Sequence, residues 1–253
     1  ARRGVPARRM GTEALEGNAV MPRVFFLLCF LGAAMVAAQP TPAATGPRVL
    51  LVAGAVGDPE LAPDFEAQIA AWTRTSREAS ARLSLIGREA DGASVDRERL
   101  REMLAAEPKD GVDELWVVLV GHGTFDGREA KLNLRGPDVA APELAEWLKP
   151  FNRPVAVVHT TSSSAPFIAK LAAPGRVIVS ATRSGNEQNY TRFGKYFAEA
   201  LADRASDLDR DGQISLLESF LSAASRTAEF YKTEGRLATE HPLIEDNGDG
   251  LGT

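Results

Sequence analysis

Leu115 to Val120 is an unbroken run of six apolar residues, Leu-Trp-Val-Val-Leu-Val, closed by Gly121. A run of that length, rich in Val and ended by a glycine, reads as a strand buried on both faces. Strands of that kind belong to parallel sheets covered by helices on either side. His122 follows at once, between Gly121 and Gly123. In an open parallel sheet, ligands sit just beyond the carboxyl ends of the strands. The pattern therefore places an imidazole where chemistry is usually done. The two glycines are expected to let the backbone turn there and to keep side-chain bulk away from the ring.

The rest of the chain repeats the arrangement. Further apolar runs at Arg48–Gly54, Arg82–Ile86, Pro154–Val158 and Arg176–Val179 read as strands. Helical patterns separate them. One starts at Pro63 and carries Phe65, Ile69 and Trp72 on one face. Asp96–Ala106 turns Leu100, Met103 and Leu104 inward. Pro142–Lys149 is built on Leu144, Trp147 and Leu148, and Pro166–Ala172 is short. Thr191–Asp203 carries Phe193, Phe197 and Leu201, and Ile214–Tyr231 carries a stripe of Ile214, Leu217, Leu221, Ala228 and Tyr231. Ala130–Leu134 alternates and reads as an edge strand or hairpin, and Gly87–Ala93 as a rim loop. Strands alternating with helices predict an α/β fold: a three-layer sandwich around a mostly parallel sheet of five to six strands. One domain spans residues 48–253.

Charge and cysteine content narrow the function. The net charge is −5, with no basic block after the leader, which argues against nucleic acid as a partner. Residues 1–38 read as a leader and secretory signal peptide. Met21 is the expected start, Arg23 the positive n-region, Val24–Val36 the apolar h-region and Val36-Ala37-Ala38 the cleavage site. Residues 39–47 read as a linker. The expected location is periplasmic or extracellular, with no stable membrane insertion once the signal is removed. Cys29, the one cysteine, lies inside the h-region. The mature chain then has neither a disulfide nor a thiol nucleophile.

Two further strand ends carry hydroxyls at the same edge as His122. One is the cluster Ser162-Ser163-Ser164. The other contains Ser180, Thr182 and Ser184, expected to line a substrate subsite. A histidine beside hydroxyls at neighbouring strand ends is the layout of a base and a nucleophile. A buried strand ending in His-Gly, then a second ending in Cys-x-Ser-Gly, is the pattern of caspase- and legumain-type cysteine peptidases; with Ser162-Ser163-Ser164-Ala165 as its second element, this chain resembles them, bacterial legumain-like proteins in particular. The resemblance spans about Arg48 to Tyr231. It implies a caspase-like fold with His122 and Gly123 at the catalytic histidine motif and Ser162 where the cysteine stands in the family. A serine hydroxyl needs an oriented base, and Asp126 and Asp138 are the acids nearest His122 in sequence. Two readings stay open: a non-catalytic peptidase homologue that binds a peptide or protein at the strand-end cleft, or a hydrolase using Ser162 with His122. His159 reads as an inward or loop histidine. The serine cluster also fits a loop capping the helix at Pro166.

Asp207 to Glu218 matches a complete EF-hand loop. Asp207, Asp209 and Asp211 stand at positions 1, 3 and 5, Gly212 at the sharp turn, and Glu218 at position 12. Gln213 would offer its carbonyl and Ser215 a direct or water-bridged contact, while Ile214 would point to the core. The cofactor this predicts is Ca²⁺. Glu245 to Gly250 resembles the first half of a second loop, without a closing glutamate.

Overall fold

The computed structural model describes residues 46–88 and 96–253. The leader and signal peptide of residues 1–38, nearly all of the linker 39–47, and most of the rim loop 87–93 lie outside the described residues. Nine strands and six helices alternate through the described residues. β1 (Arg48–Ala53), β2 (Arg82–Ile86), β3 (Leu115–Val120), β7 (Val155–His159) and β8 (Arg176–Ser180) run parallel, and β9 (Leu243–Glu245) pairs antiparallel with β8. The order across the sheet is β2-β1-β3-β7-β8-β9. β4 (Gly123–Phe125), β5 (Ala130–Leu132) and β6 (Val139–Ala140) form a separate antiparallel sheet, so the alternating stretch after His122 builds a small sheet of its own.

The two faces of the main sheet bury two cores. Leu50, Val52, Val117, Leu119, Val157 and Ile178 face α2 (Asp96–Ala106), α3 (Ala141–Leu148), α4 (Pro166–Leu171) and the small sheet. Leu51, Ala53, Val118, Val120, Val158 and Val179 face α1 (Ala62–Glu78), α5 (Phe193–Ala200) and α6 (Leu216–Thr233). Period-2 alternation along strands that are apolar on both sides produces this division. Buried Asp96 at the start of α2 pairs with Arg135 through two hydrogen bonds of 2.7 and 2.8 Å, tying the helix to the small sheet. Among the described residues, no helix is long and apolar enough to cross a membrane.

Two helices differ from the sequence pattern through tertiary contacts. On α6 the buried side is Phe220, Ala223, Thr227 and Tyr231, whereas Leu217 and Leu221 are about half exposed and Ala228 is exposed. The helix has apolar residues on two faces, and its phase is set by Phe220 packing edge-on to Phe193 at 5.9 Å. α5 starts at Phe193 rather than Thr191, because the Thr191 hydroxyl donates to the Thr160 carbonyl. Its first amides are capped from far away: the buried Glu240 carboxylate accepts from Arg192 N and Phe193 N. Glu245, where the sequence resembles the first half of a second calcium loop, ends β9 and accepts from Gly248 N.

Candidate functional site

The carboxyl ends of β1, β3, β7 and β8 converge on one edge. His122 leaves β3 and swings toward β1. Its Nε2 lies 2.9 Å from the Val56 carbonyl, and its ring stands edge-on to Phe65 at 5.2 Å. Ser162 sits on the other flank of β3, beyond β7. Its Oγ donates to the Gly123 carbonyl at 3.0 Å and accepts from the Gly123 amide at 3.1 Å. Ser162 is 2% exposed. Gly123 is needed for this contact rather than for a turn: a Cβ there would lie 2.2 Å from the Ser162 carbonyl oxygen and 2.7 Å from Thr161 Oγ1. His122 and Ser162 are thus neighbours through the backbone, while their functional atoms face different partners.

Neither acid near His122 in sequence orients its ring. The Asp126 carboxylate caps its own turn, accepting from Arg128 N and Glu129 N. The amides of Glu129 and then Arg128 hold its carboxyl below the usual carboxylate range. Asp138 accepts from Leu134 N.

The other rim hydroxyls form a closed network. Ser164 Oγ lies 2.9 Å from Ser180 Oγ and 3.1 Å from Thr182 Oγ1, and it accepts from Ala181 N. Ser180 Oγ donates to Thr182 O, and Thr182 Oγ1 accepts from Ala165 N. All three residues are fully buried. They staple the loop after β7 to the end of β8, so Ser180 and Thr182, expected to line a substrate subsite, are enclosed within the protein. Ser184 stays half-buried, its carbonyl accepting from Glu187 N. No side chain caps α4; the Ser164 carbonyl accepts from Phe167 N instead. Ser163 adopts φ 55°, and its buried hydroxyl has no partner among the described residues.

His159 ends β7 on the α4 face, fully buried and packed edge-on to Phe167 at 4.3 Å. Burial lowers its pKa from 6.5 to about 3, so it is a neutral core side chain. A pair at the rim with no sequence signature is Glu187 with His241, at 2.5 Å. Glu187 also accepts from Arg183 N and His241 N. The partners lie 54 positions apart, beyond the reach of any local pattern.

The acidic loop brings together three of the carboxylates expected to bind an ion. One carboxylate oxygen from each of Asp207, Asp209 and Asp211 lies within 4.8 Å of the others. Asp207 Oδ2 accepts from Gly212 N, and Gly212 takes φ +88°, which favours glycine. Asp207 Oδ1 is buried without a hydrogen-bond partner among the described residues. Glu218 folds over the loop's first half: Oε1 accepts from Leu208 N and Asp209 N, and Oε2 from Ser215 N and Ser215 Oγ. These donors, the Ser215 amide foremost, hold its pKa down to about 2. Ser215 in return caps α6 through Glu218 N. Gln213 is exposed and Ile214 half-buried. Three converging carboxylates, one with an orphaned buried oxygen, are a donor set that fits a hard cation.

Three solved structures share this architecture. The Drosophila initiator caspase Dronc matches with a TM-score of 0.54 and 13% identity, over 81% of each chain. A protein from Geobacter sulfurreducens matches at 0.53 and 12%, over 81% of this chain and 94% of that one. Caspase-1 from Spodoptera frugiperda matches at 0.50 and 11%, over 79% and 86%. No family model and no curated protein matches the sequence. The chain has a caspase-like fold, a mostly parallel six-stranded sheet between two layers of helices.

Proposed function

We propose that this chain is an exported, calcium-binding, caspase-like domain without peptidase activity, acting as a binding or scaffold module. The observation that carries the reading is the engagement of both rim groups by backbone. Ser162 Oγ is held between the amide and carbonyl of Gly123, and His122 Nε2 faces the Val56 carbonyl. A serine becomes nucleophilic when an oriented base takes its proton. Among the described residues no hydrogen bond joins this serine to this imidazole, and no carboxylate orients the ring. The one cysteine, Cys29, lies in the expected h-region of the signal peptide, so the mature chain would hold no thiol to stand in for the serine.

Ca²⁺ fits the loop from Asp207 to Glu218. Asp207, Asp209, Asp211 and Glu218 would hold it, with the Gln213 carbonyl and Ser215 completing the set. The ion supplies charge neutralisation for carboxylates that otherwise repel one another. The partner fitting the strand-end cleft is an extended peptide or a protein segment.

A serine-directed fluorophosphonate probe, applied to the full chain in excess Ca²⁺, tests the absence of a reactive serine. The expected result is no labelling. Labelling that disappears in Ser162→Ala would replace this reading with the hydrolase that uses Ser162 with His122.

A further inference from the structure

α6 has one buried side and one exposed apolar stripe. Phe220, Ala223, Thr227 and Tyr231 are buried in the core. Leu217, Leu221, Ala224 and Ala228 recur at i, i+4, i+7 and i+11, so they run straight along another flank of the helix. Leu217 and Leu221 are 48% and 47% exposed, Ala224 is half-buried and Ala228 is exposed. A single exposed leucine is ordinary, whereas four apolar residues at helical spacing have the form of a seam between two helices.

Shape and charge both say what fits this stripe. Along the helix its residues run large, large, small, small. A second α6 laid parallel would set leucine on leucine and alanine on alanine. Laid antiparallel, about a twofold axis between Leu221 and Ala224, it sets Leu221 against Ala224 and Leu217 against Ala228, so each leucine meets a small residue and the helices can close in. Lys232, four positions beyond Ala228, prolongs the stripe. Its ammonium is exposed, with Glu229 at 3.4 Å as its ion-pair partner. The other end of the helix follows the acidic loop, where Asp209 and Asp211 are both exposed. Antiparallel packing brings the lysine of each copy toward the acidic loop of the other, whereas parallel packing would set lysine beside lysine and acid beside acid.

We propose that the Leu217–Ala228 flank of α6 is a self-association surface, on which a second copy of this chain packs its own α6 antiparallel about a twofold axis between Leu221 and Ala224. A single helix pair buries less than the about 800 Å² per partner of a standard interface, so the association is weak and reversible, with a Kd on the order of 100 µM. The surface lies apart from the strand-end cleft, and its use requires no chemistry at His122 or Ser162.

Sedimentation equilibrium of the protein as recovered from cells, from about 5 µM to about 1 mM, reads the association. The average mass should rise from one chain toward two. Leu221→Lys, which leaves the buried side of α6 untouched, should hold it at one chain, and Lys232→Glu should weaken the association about tenfold. Orientation is read by nitroxide labels in a Cys29→Ser background. Labels at Ser225→Cys lie near the proposed axis, whereas those at Thr233→Cys should stand about 30 Å apart along it. Both positions are exposed. A wild-type mass fixed at one chain, a dimer that Leu221→Lys leaves intact, or equal label separations at the two positions would each overturn the proposal.

Discussion

Ser162 and Gly123 exchange two hydrogen bonds across the ends of β7 and β3, side-chain Oγ to carbonyl at 3.0 Å and amide to Oγ at 3.1 Å. The hydroxyl acts there as a bracket between two strand ends. Ser162→Ala leaves a buried N–H and C=O without their partner, which costs about 1–3 kcal/mol. Urea unfolding of the variant should show that loss. An unchanged midpoint would mean that the bracket contributes nothing.

Ser163 combines a left-handed φ of 55° with a buried hydroxyl that has no partner among the described residues. Glycine tolerates that backbone and removes the orphaned group. Ser163→Gly should therefore stabilise the protein by about 1 kcal/mol, net of the entropy that glycine adds to the unfolded chain. A lower melting temperature in the variant would contradict this.

The acidic loop predicts a calcium-dependent melting temperature. Binding to the native state alone adds ~2.7 kcal/mol at a hundredfold excess over Kd. Glu218→Gln should remove most of that increment, and calorimetric titration should give one ion per chain. Equal melting temperatures in excess calcium and in chelator would remove calcium from the account.

His159 makes stability depend on acid. Its folded pKa, about 3, lies below the ordinary 6.5, because burial disfavours the imidazolium. Between those values the unfolded chain binds a proton that the folded chain does not. Its contribution is complete above pH 6.5 and is lost as pH falls toward 3, on the order of a few kcal/mol by pH 4. His159→Gln should flatten that part of the stability–pH curve. A wild-type curve level from pH 7 to pH 4 would contradict the burial argument.

The sheet was legible because its strands are continuous apolar runs. Leu115–Val120 is predicted and observed at the same residues. β9 has three residues and is held by pairing with β8, so nothing local announces it. The phase of α6 is not legible locally because Leu217 and Leu221 offer a second apolar face, and the choice lies with Phe193, more than twenty positions away. At the rim, the sequence places His122 and Ser162 at adjacent strand ends, but the direction of each side chain is decided by Val56, Phe65 and Gly123. The Glu187–His241 pair and the Glu240 cap on α5 link distant positions and leave no spacing to read. In the acidic loop the convergence of Asp207, Asp209 and Asp211 and the turn at Gly212 were legible from their spacing, while the engagement of Glu218 by the loop's own amides was not.

Peptide hydrolysis tests the central claim most directly. The purified full chain, in excess Ca²⁺ and beside its Ser162→Ala variant, is incubated with a diverse peptide library and cleavage is read by mass spectrometry. The account predicts no cleavage by either protein, because Ser162 is bracketed by Gly123 and His122 by Val56. Turnover by the wild-type chain that Ser162→Ala abolishes would contradict it.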